Sequence, residues 1–185
     1  MAAFIDDILS LLDPDRPDGS AQAGAHGIEK VEPADIPEPY HSLLVHERDM
    51  TGTLGAFWKS KIELQQLLTN HDQDSLYRQV ALLAVERGIP VEAGAIRIFL
   101  NRFPLKSLPR IIQGQTPLGA ILADDQIPYH SSPQGYFRIT TNRFLREVFG
   151  DVPAGLHYGR RNRLFDPAGE VLAEVVEILP LVGRR

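Results

Sequence analysis

Arg97 and Glu177 are the charged side chains hardest to account for in this sequence. Arg97 lies in the run Ala95-Ile96-Arg97-Ile98-Phe99-Leu100, and Glu177 in Val175-Val176-Glu177-Ile178-Leu179, each otherwise apolar. A charge left unpaired in such a run is very costly, so each needs a partner of opposite sign. Two arrangements meet that need. One is a structural Arg–Glu pair joining two strands. The other is a pocket between a sheet and covering loops, where Arg97 clamps a carboxylate and a desolvated glutamate is poised as acid or base. Glu174 stands three residues before Glu177. On a strand the two face opposite ways, so at most one shares Arg97's side of the sheet.

Other reactive groupings are weaker. His41 and His46 are five residues apart and fall on different helical faces, so no metal site is expected. Arg160, Arg161 and Arg163 beside Tyr158 could touch phosphates. On a strand Arg161 and Arg163 share one face while Arg160 opposes them, which is the pattern of solvated strand charges. Gly114 and Gly119 have the spacing of a phosphate loop, but Ala120-Ile121 stands where Lys-Ser or Lys-Thr is required. There is no G-x-S-x-G elbow, no H-E-x-x-H and no dinucleotide-binding glycine fingerprint.

The elements that must position these residues are legible as periodicities. Alternation predicts strands over Ile62–Leu68, Leu76–Val85 and Val91–Leu100, separated by the turns Asn70–Asp74 and Arg87–Pro90. Connections this short make an antiparallel meander. Further strands are predicted over Tyr136–Thr140, and over Arg160–Phe165 and Val171–Leu179 as a hairpin about Asp166–Gly169. Helical spacing predicts a helix from a Ser42 cap to about Phe57, with a break possible at Asp49–Gly52. Two short helices follow, one marked by Leu105, Leu108, Ile111 and Ile112, the other started by Thr116-Pro117. A last helix spans Asn142–Phe149 and is closed by Gly150. Grouped strands with interspersed helices read as α+β, a single antiparallel sheet of about six strands with helices on one face.

Residues 1–38 differ from the rest. Phe4, Ile5, Ile8, Leu9, Leu11 and Leu12 predict a short amphipathic helix over 3–12, and 13–38 reads as a proline- and glycine-rich linker or docked arm. The expected domain is then 39–185. Residues 1–47 hold ten acidic side chains against Arg16 and Lys30, a net of −8, while the remainder holds 17 basic and 14 acidic, a net of +3. A mildly basic body suits a small anionic ligand and argues against nucleic acid as partner. The 185 residues include no cysteine, which excludes disulfide scaffolds, zinc ribbons and cysteine catalysis. No apolar run approaches the ~18 residues of a membrane span, and Asp6 and Asp7 stand where a signal peptide would be basic. The expectation is a cytoplasmic protein with no membrane partner.

Four segments, in order, resemble the chorismate pyruvate-lyase family, including its divergent bacterial branch and the related effector-binding domains of some transcription regulators. They are Leu43-Leu44 with Arg48-Asp49-Met50-Thr51, then Tyr77 to Leu83, then Gly114 to Leu122. The fourth is Tyr158 to Leu164 followed by Val176-Glu177-Ile178-Leu179-Pro180, and the likeness covers roughly residues 40–180. The resemblance implies a carbon–oxygen lyase that eliminates pyruvate from chorismate to leave 4-hydroxybenzoate or a related aromatic acid, with no metal or cofactor. It implies a small dicarboxylate as substrate. Arg97 would bind a carboxylate, Met50 would pack on the ring, and Leu118 would offer its backbone at a helix start. Glu177, or Glu174 under an ungapped alignment, would carry the proton transfer. The alternative implied by the same fold is a non-catalytic, effector-sensing domain that binds an aromatic acid, with Glu177 a structural partner of Arg161 or Arg163.

Overall fold

The computed structural model describes residues 28–150 and 154–181. The alternating segments form the strands they predict: β2 (Ile62–His71), β3 (Ser75–Ala84) and β4 (Ile89–Phe99), then β5 (His130–Thr140), β6 (Leu156–Phe165) and β7 (Val171–Ile178). A further strand, β1 (Ile28–Val31), falls inside the segment expected to be a linker and pairs with β5, so the sheet begins before residue 39. Its four residues are mostly exposed, so no apolar alternation announced it. The expected helix over 3–12 lies outside the described residues.

All pairings are antiparallel, in the order β1-β5-β6-β7-β4-β3-β2. Two three-stranded meanders, β2-β3-β4 and β5-β6-β7, are thus joined where β7 pairs with β4. The β6–β7 turn fixes the register. The Asp166 carboxylate accepts from the backbone N–H groups of Ala168 and Glu170 at 2.9 and 2.8 Å, and this aligns Arg160 with Glu177 and Arg163 with Glu174.

The helices are α1 (Tyr40–Leu44), α2 (Met50–Trp58), α3 (Leu108–Gln113), α4 (Leu118–Asp124) and α5 (Arg143–Phe149). The helix expected to run from Ser42 to Phe57 is two helices. Asp49 caps α2 by accepting from the Gly52 N–H, and Val45–Asp49 crosses between them as loop. Ser42 does not cap α1, whose N-terminal flank is Pro39. Nor does Thr116 cap α4, which starts directly after Pro117. Asn142 does cap α5, accepting from the Leu145 N–H at 2.9 Å, a contact that contributes about 1 kcal/mol.

Four helices cover one sheet face in two apolar clusters. Leu44, Met50 and Leu54 of α1 and α2 pack with Leu82. Ile111, Leu118 and Ile121 of α3 and α4 pack with Leu76, Ile98 and Leu164. The opposite face is not bare: Phe144 and Leu145 of α5 cover Ala93, Ala95, Val176 and Ile178 there. Among the described residues no helix is long and apolar enough to cross a membrane.

Candidate functional site

The seam between the two clusters on the four-helix face is where polar side chains enter the interior. Side chains of one parity on each strand project into it: Arg78 and Val80 from β3, Glu92 and Ile96 from β4, Glu177 from β7, Arg160 and Asn162 from β6. Met50 at the start of α2 and Leu118 at the start of α4 close it from either side. They enclose a cavity of about 110 Å3, against the ~10–15 Å3 that holds one water, so there is room for a small organic molecule.

Three of the four residues singled out in the sequence therefore meet at one cavity: Met50, Leu118 and Glu177. Arg97 does not. It lies on the opposite face of the sheet, its guanidinium 4.6 Å from the centre of the Phe99 ring and 5.2 Å from that of Tyr77, with Nε donating to Ser75 Oγ at 3.3 Å. Its register partner on β7 is Glu174, which accepts from Arg163 Nε at 2.9 Å. The run around Arg97 reads as apolar because one ring that holds its guanidinium, Phe99, belongs to that run, while the other, Tyr77, comes from the neighbouring strand.

The arginine that enters the cavity is Arg78. It is 3% exposed, and its Nε and Nη2 have no hydrogen-bond partner. Burial with no carboxylate beside it pulls its pKa down to about 10, which still leaves it charged at neutral pH. The turn after α3 is built to admit it. Gly114 has φ +73, and a Cβ there would lie 3.1 Å from Arg78 Cζ and collide with the Gln66 side chain, so only glycine fits.

Arg160, by contrast, has partners on both Nε and Nη1. Its Nε donates to Glu177 Oε2, and its Nη1 donates to the carbonyls of Leu44 at 3.1 Å and His46 at 2.8 Å. These bonds clamp the α1–α2 connection onto the sheet. Although burial opposes its charge, Glu177 and then Glu92 outweigh that and push its pKa up. Burial and the nearby Arg160 charge hold His46 below its ordinary value. Glu92 sits beside this pair, 4% exposed, with Oε2 unpartnered. Burial above all, and then the charges of Glu177 and Asp49, raise its pKa well above 4.5, while Arg160 offsets part.

That shift fixes a pH dependence. The folded protein keeps a proton on Glu92 that the unfolded chain releases near pH 4.5, so this stabilisation is full below pH 4.5 and is lost as pH rises through the folded-state pKa. Glu92→Gln removes the titration. The stability of Glu92→Gln relative to wild type should therefore climb with pH above 4.5, by at most about 1.4 kcal/mol per pH unit. Urea unfolding at a series of pH values reads this directly, and a difference flat from acid to neutral pH would show that Glu92 is ionised when folded.

No protein-family model matches the chain, and no curated protein matches it. Solved structures do. PhnF from Mycobacterium smegmatis superposes with TM-score 0.58 at 10% identity, over 74% of this chain and 65% of that one. The effector domain of the same protein gives 0.55 at 11% identity, over 71% and 87%. A ligand-binding domain from Bordetella bronchiseptica, described as that of a GntR-family transcriptional regulator, gives 0.51 at 8% identity, over 67% and 90%. At such identities the likeness is one of fold, and this chain spans just under two thirds of full-length PhnF. The expectation of a carbon–oxygen lyase is corrected by these matches, which are to regulator domains and carry no support for lyase chemistry. The geometry gives a physical reason as well: Glu177, expected as the acid or base, is engaged in a buried ion pair with Arg160.

Proposed function

We propose that this chain is a non-catalytic, effector-sensing domain that binds a small aromatic acid in the seam between its two apolar clusters. The observation that carries this is Arg78, a charged, nearly fully buried guanidinium with two unpartnered nitrogens, on a strand whose side chains line the cavity. Leaving such a group unpaired costs stability, and a carboxylate bound across its planar fork would satisfy both nitrogens at once. Met50, Val80, Ile96 and Leu118 supply apolar surface for a ring. The fold likeness to effector and ligand-binding domains of regulators supports the same reading.

Thermal denaturation with benzoate, 4-hydroxybenzoate and chorismate tests it. An aromatic acid that binds should raise stability by about 2.7 kcal/mol at a hundredfold excess over Kd. That amounts to several degrees in Tm for a chain of this size. Chorismate should be recovered intact, with no pyruvate formed. Failure of every aromatic acid at millimolar concentration to shift Tm would overturn the reading, and so would release of pyruvate.

A further inference from the structure

We infer that Glu92 determines specificity at the end of the cavity away from Arg78, as a neutral carboxylic acid donating a hydrogen bond to an oxygen on the ligand's ring. This rests on the reading of Arg78 as the carboxylate site, and it names the class of acid the cavity takes: an aromatic acid with an oxygen acceptor remote from its carboxylate.

The charges come first. Glu92 and Glu177 both face the cavity, which Arg48 and Arg78 also line, but the cation acting on Glu92 is Arg160, whose Nε is already committed to Glu177. Two buried carboxylates sharing one cation would leave an uncompensated negative charge, so one of them keeps its proton. Glu177 holds the ion pair, which leaves the proton on Glu92. The raised pKa of Glu92 agrees. A protonated carboxyl is a donor, and a buried donor without an acceptor is costly. Glu92 Oε2 has no acceptor among the described residues.

Position comes second. The Glu92 carboxyl folds over Gly94, with Oε1 3.3 Å from where a Cβ on that glycine would stand. Gly94 has no side chain of its own to fill the row. One step further along the same face of β4 is Ile96, the register partner of Arg78. Same-face neighbours on a strand are about 6.6 Å apart, so the backbone row of Gly94, over which Glu92 folds, is offset from the Arg78 row by roughly the width of one substituted ring. Asn162 and Val175 continue the Arg78 row, and Glu177 and Arg160 the Gly94 row.

Calorimetric titration of the whole chain with benzoate, 4-hydroxybenzoate and 4-aminobenzoate separates the outcomes. The hydroxyl oxygen accepts a hydrogen bond, whereas the aromatic amine offers protons and a poor lone pair. Wild type should favour 4-hydroxybenzoate over both others by roughly fivefold to tenfold, the worth of one hydrogen bond. Glu92→Gln keeps an N–H donor and should retain most of that preference. Glu92→Met should bring the ratio of 4-hydroxybenzoate to benzoate close to one. A hydroxyl preference that survives in Glu92→Met, or a wild-type preference for the amine, would overturn the inference while leaving Arg78 as the acid site. Should Glu92→Met fail to fold, the wild-type ratios decide: a value near one for all three acids overturns it. Binding that is absent for all three acids, or unaffected by Arg78→Met, would remove the underlying reading and this inference with it.

Discussion

Arg78→Met should lose acid binding by about a hundredfold or more and, in the same protein, raise the melting temperature. The two effects have one cause. The Arg78 guanidinium is buried with Nε and Nη2 unpartnered, so it is a desolvated charge that no side chain among the described residues offsets. Methionine of similar reach would fill the space without that charge, and removing such a group stabilises by about 1–3 kcal/mol. At roughly 2–4 °C per kcal/mol this is a rise of several degrees. The lost contact works the other way. A hydrogen bond to a charged group contributes about 1.5–3 kcal/mol, and a two-pronged contact to a carboxylate therefore exceeds the 2.8 kcal/mol of a hundredfold change in Kd. Arg78→Lys keeps the charge but not the fork, and should fall between. Titration of an aromatic acid into both variants, with denaturation curves of the free proteins, reads both signs. A large fall in Tm for Arg78→Met would instead mark a structural arginine, and unchanged Kd would take Arg78 out of the site.

Arg78 was legible in the sequence, though as parity rather than composition. Leu76, Val80, Leu82 and Ala84 all share its side of β3 and all are buried, so the alternation places an arginine on the core-facing side. Its neighbours hide this, because Tyr77 and Gln79 make the segment look half polar. Arg97 has the reverse history. An apolar run around it suggests burial on both sides, yet its own face is where Tyr77 and Phe99 hold its guanidinium and Glu174 lies opposite. The same parity rule separates Arg160 from Arg161 and Arg163, but it cannot say which face is covered. Arg160 is 1% exposed because the α1–α2 connection crosses above it, a long-range contact between residues 116 apart in the chain.

Strands were easier to read than the site for a related reason. Alternation is a local property, and the strands of the two meanders carry it over four to eight residues. β1 carries too few buried residues to show it and exists through its partner β5. The unpaired state of Arg78 and the neutral state of Glu92 are products of which side chains meet across strands 14 to 80 and more residues apart. No window of sequence contains them. Resemblance to a family led to the right fold; of the residues it implied, Met50, Leu118 and Glu177 line the cavity, and Arg97 lies on the other face of the sheet.

The ion pair at the cavity floor should set the stability of the whole α1–α2 cover. Arg160→Met leaves Glu177 and Glu92 buried side by side without a cation, and releases the carbonyls of Leu44 and His46 as well. Removing one partner of a buried pair costs about 3–5 kcal/mol, so Tm should fall by about 10 °C or more. Glu177→Gln should cost less than this, although it breaks the same pair. With Glu177 neutral, Arg160 still faces the Glu92 carboxyl, which can release its proton and take over the charge. Glu92→Gln alone replaces one neutral group with another. The double variant Glu92→Gln/Glu177→Gln then strands Arg160 with no carboxylate at all, and its loss should exceed the sum of the two single losses by about 1 kcal/mol or more. Urea unfolding of the four proteins at neutral pH closes this cycle. Strict additivity would mean that Glu92 never pairs with Arg160, and equal losses in Arg160→Met and Glu177→Gln would mean that Glu177 alone holds the arginine. In either case Glu92 would no longer owe its proton to a shared cation.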